Sequence, residues 1–424
     1  MDLKEIIRKA EAAEAEVAEL TSGLVKFNSA HPDGFTDGCV EYIKAYCDKH
    51  GIENEVHANN SKKPNIVARV KGTGSKKVIW VGHIDVVPEG KPENWKYGPY
   101  AGTIAEGCVW GRGSSDMKGS CAAAMVSARL LNEMDSIPNT VEYWFTSDEE
   151  IGGGEGARWL AQSGKFKADV CVIGDGNGGG PKSPSIDLGC KGGAGVKLVS
   201  RGQTAHGSTP YLGDNAISKL IKGVPWVEKI DDYKLDFPEN LLPAVQNSVE
   251  YYKLSTAKEL WPQMEKNFYT PSVTCNIING GVKINVVPDY AEAEFDIRLT
   301  PGSHPTKVVG RIKELVKESD IKGLEVVSTR SYKPEDTAGY CEAPDTSFAK
   351  QFTGLIKEIT GKPVNMKILT GGTDGISTSK IAGIPSLGYG TSLTGQAHQP
   401  NERVTIENLV LGIKIFTAFP LLYR

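Results

Sequence analysis

Five short stretches of this sequence place histidine and carboxylate side chains where they could bind metal ions. They are His83-Ile84-Asp85, the segment ending at Asp116, Asp148-Glu149-Glu150, Asp175, and Ala397-His398. Imidazole nitrogen and carboxylate oxygen suit zinc, manganese or cobalt. A carboxylate can also bridge two metals about 3.5–4 Å apart, the separation typical of two-metal hydrolases. These residue types therefore indicate metal-assisted hydrolysis.

The predicted secondary structure explains how stretches so far apart in sequence could meet. Strands predicted at 78–81, 141–145 and 170–173 end just before the first, third and fourth stretches, and a helix predicted at 117–134 follows the second. In open α/β sheets, ligands bind beyond the carboxyl ends of the strands. Taken singly, Asp116 could be a helix cap and Asp175 a turn former. Their joint placement after strand ends favours one metal site.

The alternation of strands and helices predicts an α/β protein of two domains. A chain of 424 residues exceeds the size at which one core stops growing. We expect residues 1–190 and 333–424 to form a doubly wound, mostly parallel sheet. Residues 191–332 have the order β-α-β-β-α-β of a ferredoxin-like α+β domain inserted into the first. No secondary structure is assigned to residues 231–269 within it.

The composition of the chain limits the classes of partner and the cellular compartment that we expect. The chain has 48 basic and 52 acidic residues and a net charge of −4, which gives no electrostatic case for nucleic acid or an anionic membrane. The first 27 residues lack the apolar core of a signal peptide. Eight cysteines without a CxxC pair suit reduced thiols in the cytoplasm.

One glycine-rich stretch resembles a dinucleotide-binding fingerprint. Residues 174–179 read GDGNGG directly after a predicted strand. That motif needs a helix immediately afterwards to hold the pyrophosphate. Residues 180–184 read GPKSP, which cannot begin such a helix, so a dehydrogenase is rejected.

Taken together, the motifs resemble those of the M20 metallopeptidase family, the acetylornithine deacetylase, succinyl-diaminopimelate desuccinylase, aminoacylase and dipeptidase group. The matching stretches are GHIDVVP (82–88), GRGSSDMKG (111–119), SDEEIGG (147–153), GQTAHGSTPYLGDNAI (202–217), GGTDG (371–375) and AHQPNE (397–402). The resemblance implies that His83 and Asp175 hold one metal ion, that Glu150 and His398 hold the other, and that Asp116 bridges them. It also implies a cis peptide bond after Asp116.

The resemblance further implies roles for residues outside the ligand set. Glu149 would be the general base, and Asp85 would orient His83 by accepting its second N–H, as metal-bound histidine generally requires. The inserted domain would act as a lid and dimerisation domain, with His206 reaching the partner subunit's active site in a homodimer. Positions that bind substrate in the family correspond here to Asn276, Arg298, Gly372 and Thr373.

The substrate is predicted only by class, as a small peptide or an N-acyl amino acid. Asp175 and the GGTDGIS stretch are similar to the family's dipeptidases and tripeptidases, whereas GHIDVVPEG is similar to its desuccinylases. We favour a dipeptidase or small-peptide hydrolase over an N-acyl-amino-acid deacylase. A non-catalytic metal-binding scaffold is the alternative of another class, and the spare carboxylate of Glu149 argues against it.

Overall fold

Two units, each with its own sheet and apolar core, make up the residues 2–424 that this computed structural model describes. The first unit extends to Gly189 and resumes at Glu342–Leu369 and Thr373–Arg424. The second unit comprises Cys190–Cys341 and Thr370–Gly372. Within the described residues, no helix has both the length and the apolar character needed to cross a bilayer.

The secondary structure alternates along most of the chain. The helices, in chain order, are α1 Leu3–Ala12, α2 Glu14–Val25, α3 Asp37–Lys49, α4 Gly119–Asn132, α5 Ala157–Gln162, α6 Ala216–Glu228, α7 Leu242–Lys253, α8 Trp261–Tyr269, α9 Pro305–Glu318, α10 Ser347–Thr360 and α11 Ile406–Leu422. The strands are β1 Glu53–His57, β2 Asn65–Val70, β3 Lys77–His83, β4 Thr103–Ala105, β5 Cys108–Trp110, β6 Thr140–Thr146, β7 Val170–Ile173, β8 Ser185–Cys190, β9 Gly192–Arg201, β10 Ala205–His206, β11 Ser272–Gly280, β12 Val286–Val287, β13 Tyr290–Leu299, β14 Leu324–Ser328, β15 Tyr340–Cys341, β16 Asn365–Leu369, β17 Ser386–Gly388 and β18 Arg403–Thr405. This order is that of a mixed α/β protein.

The sheet of the first unit has a parallel centre. Its strands run in the order β1-β2-β6-β3-β7-β17-β8, with β16 beside β8. The four central strands β6, β3, β7 and β17 are parallel, whereas β1, β2 and β8 pair antiparallel with their neighbours. Strand β3 is almost wholly buried, which is usual for parallel strands covered by helices. The predicted α/β class with a mostly parallel central sheet is confirmed.

The second unit contains an antiparallel sheet in the order β11-β13-β9-β14. Helices α6 and α9 pack on it around buried residues such as Leu198, Leu220 and Ile312. The chain order β9-α6-β11-β13-α9-β14 is the β-α-β-β-α-β order read from the sequence. The stretch left unassigned holds α7 and α8.

One predicted helix begins later than expected. The sequence predicts a helix from Met117, but α4 begins at Gly119. Asp116 (φ −125°, ψ 92°) and Met117 (φ −137°, ψ 28°) have non-helical backbone angles. The chain therefore presents Asp116 from an irregular turn ahead of the helix rather than from its first turn.

The orientation of α6 relative to the second unit's core can be tested with two adjacent residues of this helix. Leu220 is fully buried, whereas Ile221 is 61% exposed. Leu220→Ala is expected to lower the free energy of unfolding of this unit by about 2–5 kcal/mol, through lost burial and a residual cavity. Ile221→Ala should change it by less than about 0.5 kcal/mol. Urea denaturation followed by circular dichroism measures both, and equal losses would contradict the orientation of α6.

Candidate metal centre

The first candidate ligand, His83, closes strand β3 and is buried. Gly82 precedes His83, and a Cβ atom at position 82 would lie 2.2 Å from the Met117 Cε atom. The His83 backbone N–H points to the Met117 sulfur at 3.2 Å. Glycine thus lets the turn that carries Asp116 pack directly against the end of β3. The Asp116–Met117 peptide is cis, as the resemblance implies.

Asp116 lies between the two candidate histidines. Its Oδ1 atom is 3.2 Å from His83 Nε2, and its Oδ2 atom is 3.4 Å from His398 Nε2. His398 Nε2 is also 3.2 Å from Glu150 Oε2. Ligand atoms of His83, Asp116 and Glu150 lie within 4.8 Å of one another. One carboxylate therefore spans two histidines, the arrangement expected of a bridging ligand.

Asp175 and Glu149 belong to the same acidic environment. Asp175 follows β7, and burial together with the charge of Asp116 raises its pKa well above the ordinary value for aspartate. Burial and the charges of Asp374, Asp175 and Glu150 likewise raise the pKa of Glu149. Buried carboxylates so close together disfavour one another's ionised forms, a cost that bound cations would remove.

The pKa values of both histidines are also raised, which in their case favours the charged form. The hydrogen bonds that His398 donates to Asp116 and Glu150 raise its pKa to about 10. Burial opposes the charged form of His83, but Asp116 and the nearby acids raise its pKa well above the ordinary value. The hydrogen bonds from both histidines in turn lower the pKa of Asp116, against the effect of burial. Asp116 and the two histidines therefore stabilise one another's charged forms.

Asp85 supports the site through the turn that carries Glu149 and Glu150. Its carboxylate accepts the backbone N–H groups of both glutamates at 3.1 Å. It also pairs with His31 Nε2 at 2.9 Å. The nearest acceptor for His83 Nδ1 is the Asp85 carbonyl oxygen at 3.0 Å, whereas the carboxylate lies 3.7 Å away. The backbone of Asp85 orients His83, because its carboxylate is engaged elsewhere.

The other predicted site residues have different surroundings. Thr373 is buried in the first unit, and Gly372 is exposed in the second. In the second unit, His206 is exposed, with Nδ1 2.7 Å from the Ser208 hydroxyl. Arg298 donates to Asp296 at 3.0 Å, and Asn276 falls at an irregularity in the pairing of β11 with β13. Within the first unit, the structure brings His83, Asp116, Glu150 and His398 together. Asp175 and Glu149 are near enough for their charges to affect this group.

Sequence reasoning missed several residues that support this centre. They are His31, which pairs with Asp85, and the buried ion pair of Arg112 with Glu402. Arg112 and Glu402 lie inside two of the quoted motifs, yet nothing in the sequence indicates that they pair. His31 stands alone before a proline and gave no signal.

Comparison with known proteins identifies the class to which this fold and site belong. The family described as peptidase family M20/M25/M40 matches residues 79–421, so the chain belongs to this family, as its motifs indicate. The protein named probable succinyl-diaminopimelate desuccinylase from Staphylococcus aureus strain Mu50 is 30% identical over 325 residues, 76% of this chain and 78% of that protein. The chain is thus a metallohydrolase of the family that acts on peptide and amide bonds.

Two solved structures share the fold. The M20 family metallo-carboxypeptidase Sso-CP2 from Sulfolobus solfataricus has a TM-score of 0.78 and 22% identity, covering 96% of this chain and 99% of its own. The dipeptidase Dug1p from Saccharomyces cerevisiae has a TM-score of 0.74 and 18% identity, covering 100% and 98%. At these identities the likeness concerns the fold.

The adjacent glutamates differ in a way that a metal titration can measure. Glu150 belongs to the ligand group, whereas Glu149 lies outside it. We expect Glu150→Gln to reduce bound metal to about one ion per chain, and Glu149→Gln to retain about two. Asp148→Asn is the matched control, because the Asp148 carboxylate contacts Lys63 at 2.7 Å instead of the centre. Metal content by mass spectrometry decides, and equal loss in both glutamate variants would show that their roles are wrongly assigned.

Proposed function

We propose that this protein is a dipeptidase or small-peptide hydrolase that works with two divalent metal ions. The observation that carries the proposal is the grouping of His83, Asp116, Glu150 and His398, with Glu149 beside them as a spare acid. The peptidase assignment is supported by Asp175, since many deacylases of the family carry glutamate at the corresponding position.

The residues of the centre fit a pair of metal ions. The donor set offers two imidazoles and three carboxylates, which favours zinc and also suits cobalt or manganese. Glu150 Oε1 is buried and has no hydrogen-bond partner, so one more acceptor atom is available for a cation. His83 and Asp175 would hold one ion and Glu150 and His398 the other, with Asp116 between them. When bound, such a pair polarises a carbonyl group and lowers the pKa of bound water.

Glu149 is the residue that moves protons. Desolvation and its acidic neighbours raise the pKa of its carboxyl group, the direction that suits a residue that takes up and returns a proton. It accepts the proton of the attacking water and returns it to the nitrogen of the departing amine. Asp85 holds the turn that presents Glu149, through the backbone N–H groups of Glu149 and Glu150.

Substrate contacts are assigned to residues near the unit boundaries and in the second unit. We place the substrate carboxylate against Asn276 and Arg298, and its backbone against Gly372 and Thr373. The pairing of β11 with β13 shifts between Cys275 and Ile277, so Asn276 is the extra residue of a bulge. Bulges re-aim side chains and are frequent next to active sites, which supports a binding role for Asn276.

A second candidate function is hydrolysis of N-acyl amino acids. The observation that favours it is the 30% identity to a protein named as a desuccinylase over most of both chains. Both activities use the same centre, and both release an amino acid as the amine product. They differ in the acyl product, which is a second amino acid for a dipeptidase and a simple carboxylic acid for a deacylase.

A panel of substrates separates these alternatives. Zinc-loaded protein is expected to release amino acids from dipeptides faster than it hydrolyses N-acetyl or N-succinyl amino acids, measured by amine release. Glu149→Gln should bind metal normally and lower kcat by about 100-fold or more. Preferred cleavage of acyl amino acids would identify a deacylase, and metal binding without any cleavage would identify a scaffold.

We also propose that the protein acts in the cytoplasm, on small molecules rather than nucleic acids or membranes. Free thiols are found at Cys39, Cys47, Cys108, Cys121, Cys171 and Cys275, and the first five of these are buried. Unpaired thiols suit a reducing compartment. The nearly balanced charge supports the absence of polyanionic partners.

The second unit is proposed to serve as a lid and to form a homodimer through β11. This strand lies at the end of its sheet. Ile277 and Ile278 on β11 are 49% and 56% exposed, and Val282 and Ile284 just beyond it are almost fully exposed. An edge strand with exposed apolar side chains is a liability unless it pairs with another strand. Pairing two copies of β11 across a two-fold axis would satisfy both edges.

The role of His206 in such a dimer can be tested by complementation. Glu149→Ala and His206→Ala are each expected to be inactive, and they are mixed under conditions that exchange subunits. In a mixed dimer, the site with intact Glu149 receives intact His206 from its neighbour. Random mixing should restore roughly a quarter of wild-type activity, since about half of the dimers are mixed and each has one complete site. Demonstrated exchange without recovery would contradict catalysis by His206 across the interface.

A further inference from the structure

A buried glutamate connects the two loops that carry Asp116 and His398. Glu402 is fully buried and lies four residues after His398. Its Oε1 atom accepts the backbone N–H groups of Ser115 and Asp116, both at 2.9 Å. Its backbone carbonyl accepts the Gly111 N–H at 2.9 Å. Glu402, on the loop that carries His398, is thus bonded both to Gly111 and to Ser115 and Asp116, at the two ends of the segment that leads to Asp116.

Arg112 completes this connection from the other side. It is 2% exposed, and its Nη1 atom donates to Glu402 Oε2 at 2.5 Å. The same guanidinium lies 3.4 Å from the Gln399 carbonyl oxygen and 3.3 Å from that of Pro88. Arginine is suited to this position because its planar group presents several donors in a fixed arrangement. The pair therefore holds the His398 loop at Gln399 and at Glu402.

The His398 loop needs such support. His398 is 53% exposed, in contrast to the buried His83. His398 and Asn401 both have left-handed backbone conformations, with φ of 62° and 63°. Non-glycine residues in this region persist only where surrounding contacts enforce them. The loop has little apolar burial of its own, so its polar contacts determine where the imidazole lies.

We infer that Glu402 and Arg112 are positioning residues that set the spacing between Asp116 and His398, and thereby the affinity of the ion shared by Asp116, Glu150 and His398. This inference rests on the proposed function. Residues behind metal ligands typically change metal affinity by about 10–100-fold when they are replaced. The effect should be larger for this ion than for the other, because Asp116 is placed between both ions whereas His398 holds only this one.

The test is a titration of the full-length Glu402→Gln variant with zinc, in which calorimetry measures the affinity of each site. Glutamine can still accept the two backbone N–H groups, but its amide would direct a donor at Arg112. One equivalent of zinc is expected to bind about 10–100-fold more weakly, with a smaller loss for the other. Saturating zinc should restore kcat, whereas a lowered melting temperature of the apoprotein would remain.

Glu142→Gln is the matched control. Glu142 is equally buried and pairs with Arg69 and Lys77 at 2.8 Å, in contact with none of the candidate ligands. It should lower the melting temperature and leave both zinc affinities unchanged. Arg112→Lys is measured in parallel, because it keeps the buried positive charge and is expected to fold even if Glu402→Gln does not. It should weaken the same equivalent more than the other.

Two results would overturn the inference. The first is unchanged affinity for both ions in the folded variants. The second is an equal loss for both ions, which would mark a general structural role. If the wild-type protein itself does not bind two ions, the proposed function fails and the inference fails with it, so the wild-type titration distinguishes the two cases.

Discussion

The constraint on which this structure depends is the repulsion among carboxylates at the edge of the central sheet. Glu149, Glu150, Asp116 and Asp175 surround His83, and the interior gives their charges little screening. Such a cluster is unfavourable unless cations, hydrogen bonds or protons compensate it. The protein supplies two histidines and several backbone N–H groups, which leaves a net demand for positive charge. That demand favours a metal site over a structural acidic cluster.

The parallel strands determine where this charge is concentrated. Strands β3, β6 and β7 are neighbours in one sheet and run in the same direction, so their carboxyl ends meet at one edge. His83 ends β3, the turn with Glu149 follows β6, and Asp175 follows β7. His83 and Asp175 are more than 90 positions apart in sequence, yet they lie at the same edge because their strands are neighbours. No contact between their side chains is needed to bring them there. The backbone supplies the convergence and the side chains supply the chemistry.

This division explains how much could be predicted from the sequence. Buried parallel strands are continuous apolar runs, so β3, β6 and β7 and the residues after them were recognisable. The Arg112–Glu402 pair was not, because it joins residues 290 positions apart that have no shared periodicity. Asp85 was recognised as a supporting residue, but the choice between its carboxylate and its carbonyl depends on ångström-scale geometry. Helices α7 and α8 were not predicted; each has a proline in its first turn, a residue that is also typical of loops.

The two histidines also differ in how firmly the fold holds them, which gives the centre a closed side and an open side. His83 is 1% exposed and is held by the strand, by the Asp85 carbonyl and by the packing of Met117. His398 is 53% exposed on an irregular loop. Of the two histidines, His398 is therefore the one that solvent reaches. Glu402 and Arg112 contact its loop from the buried side, so the support of the exposed ligand comes from the interior of the first unit.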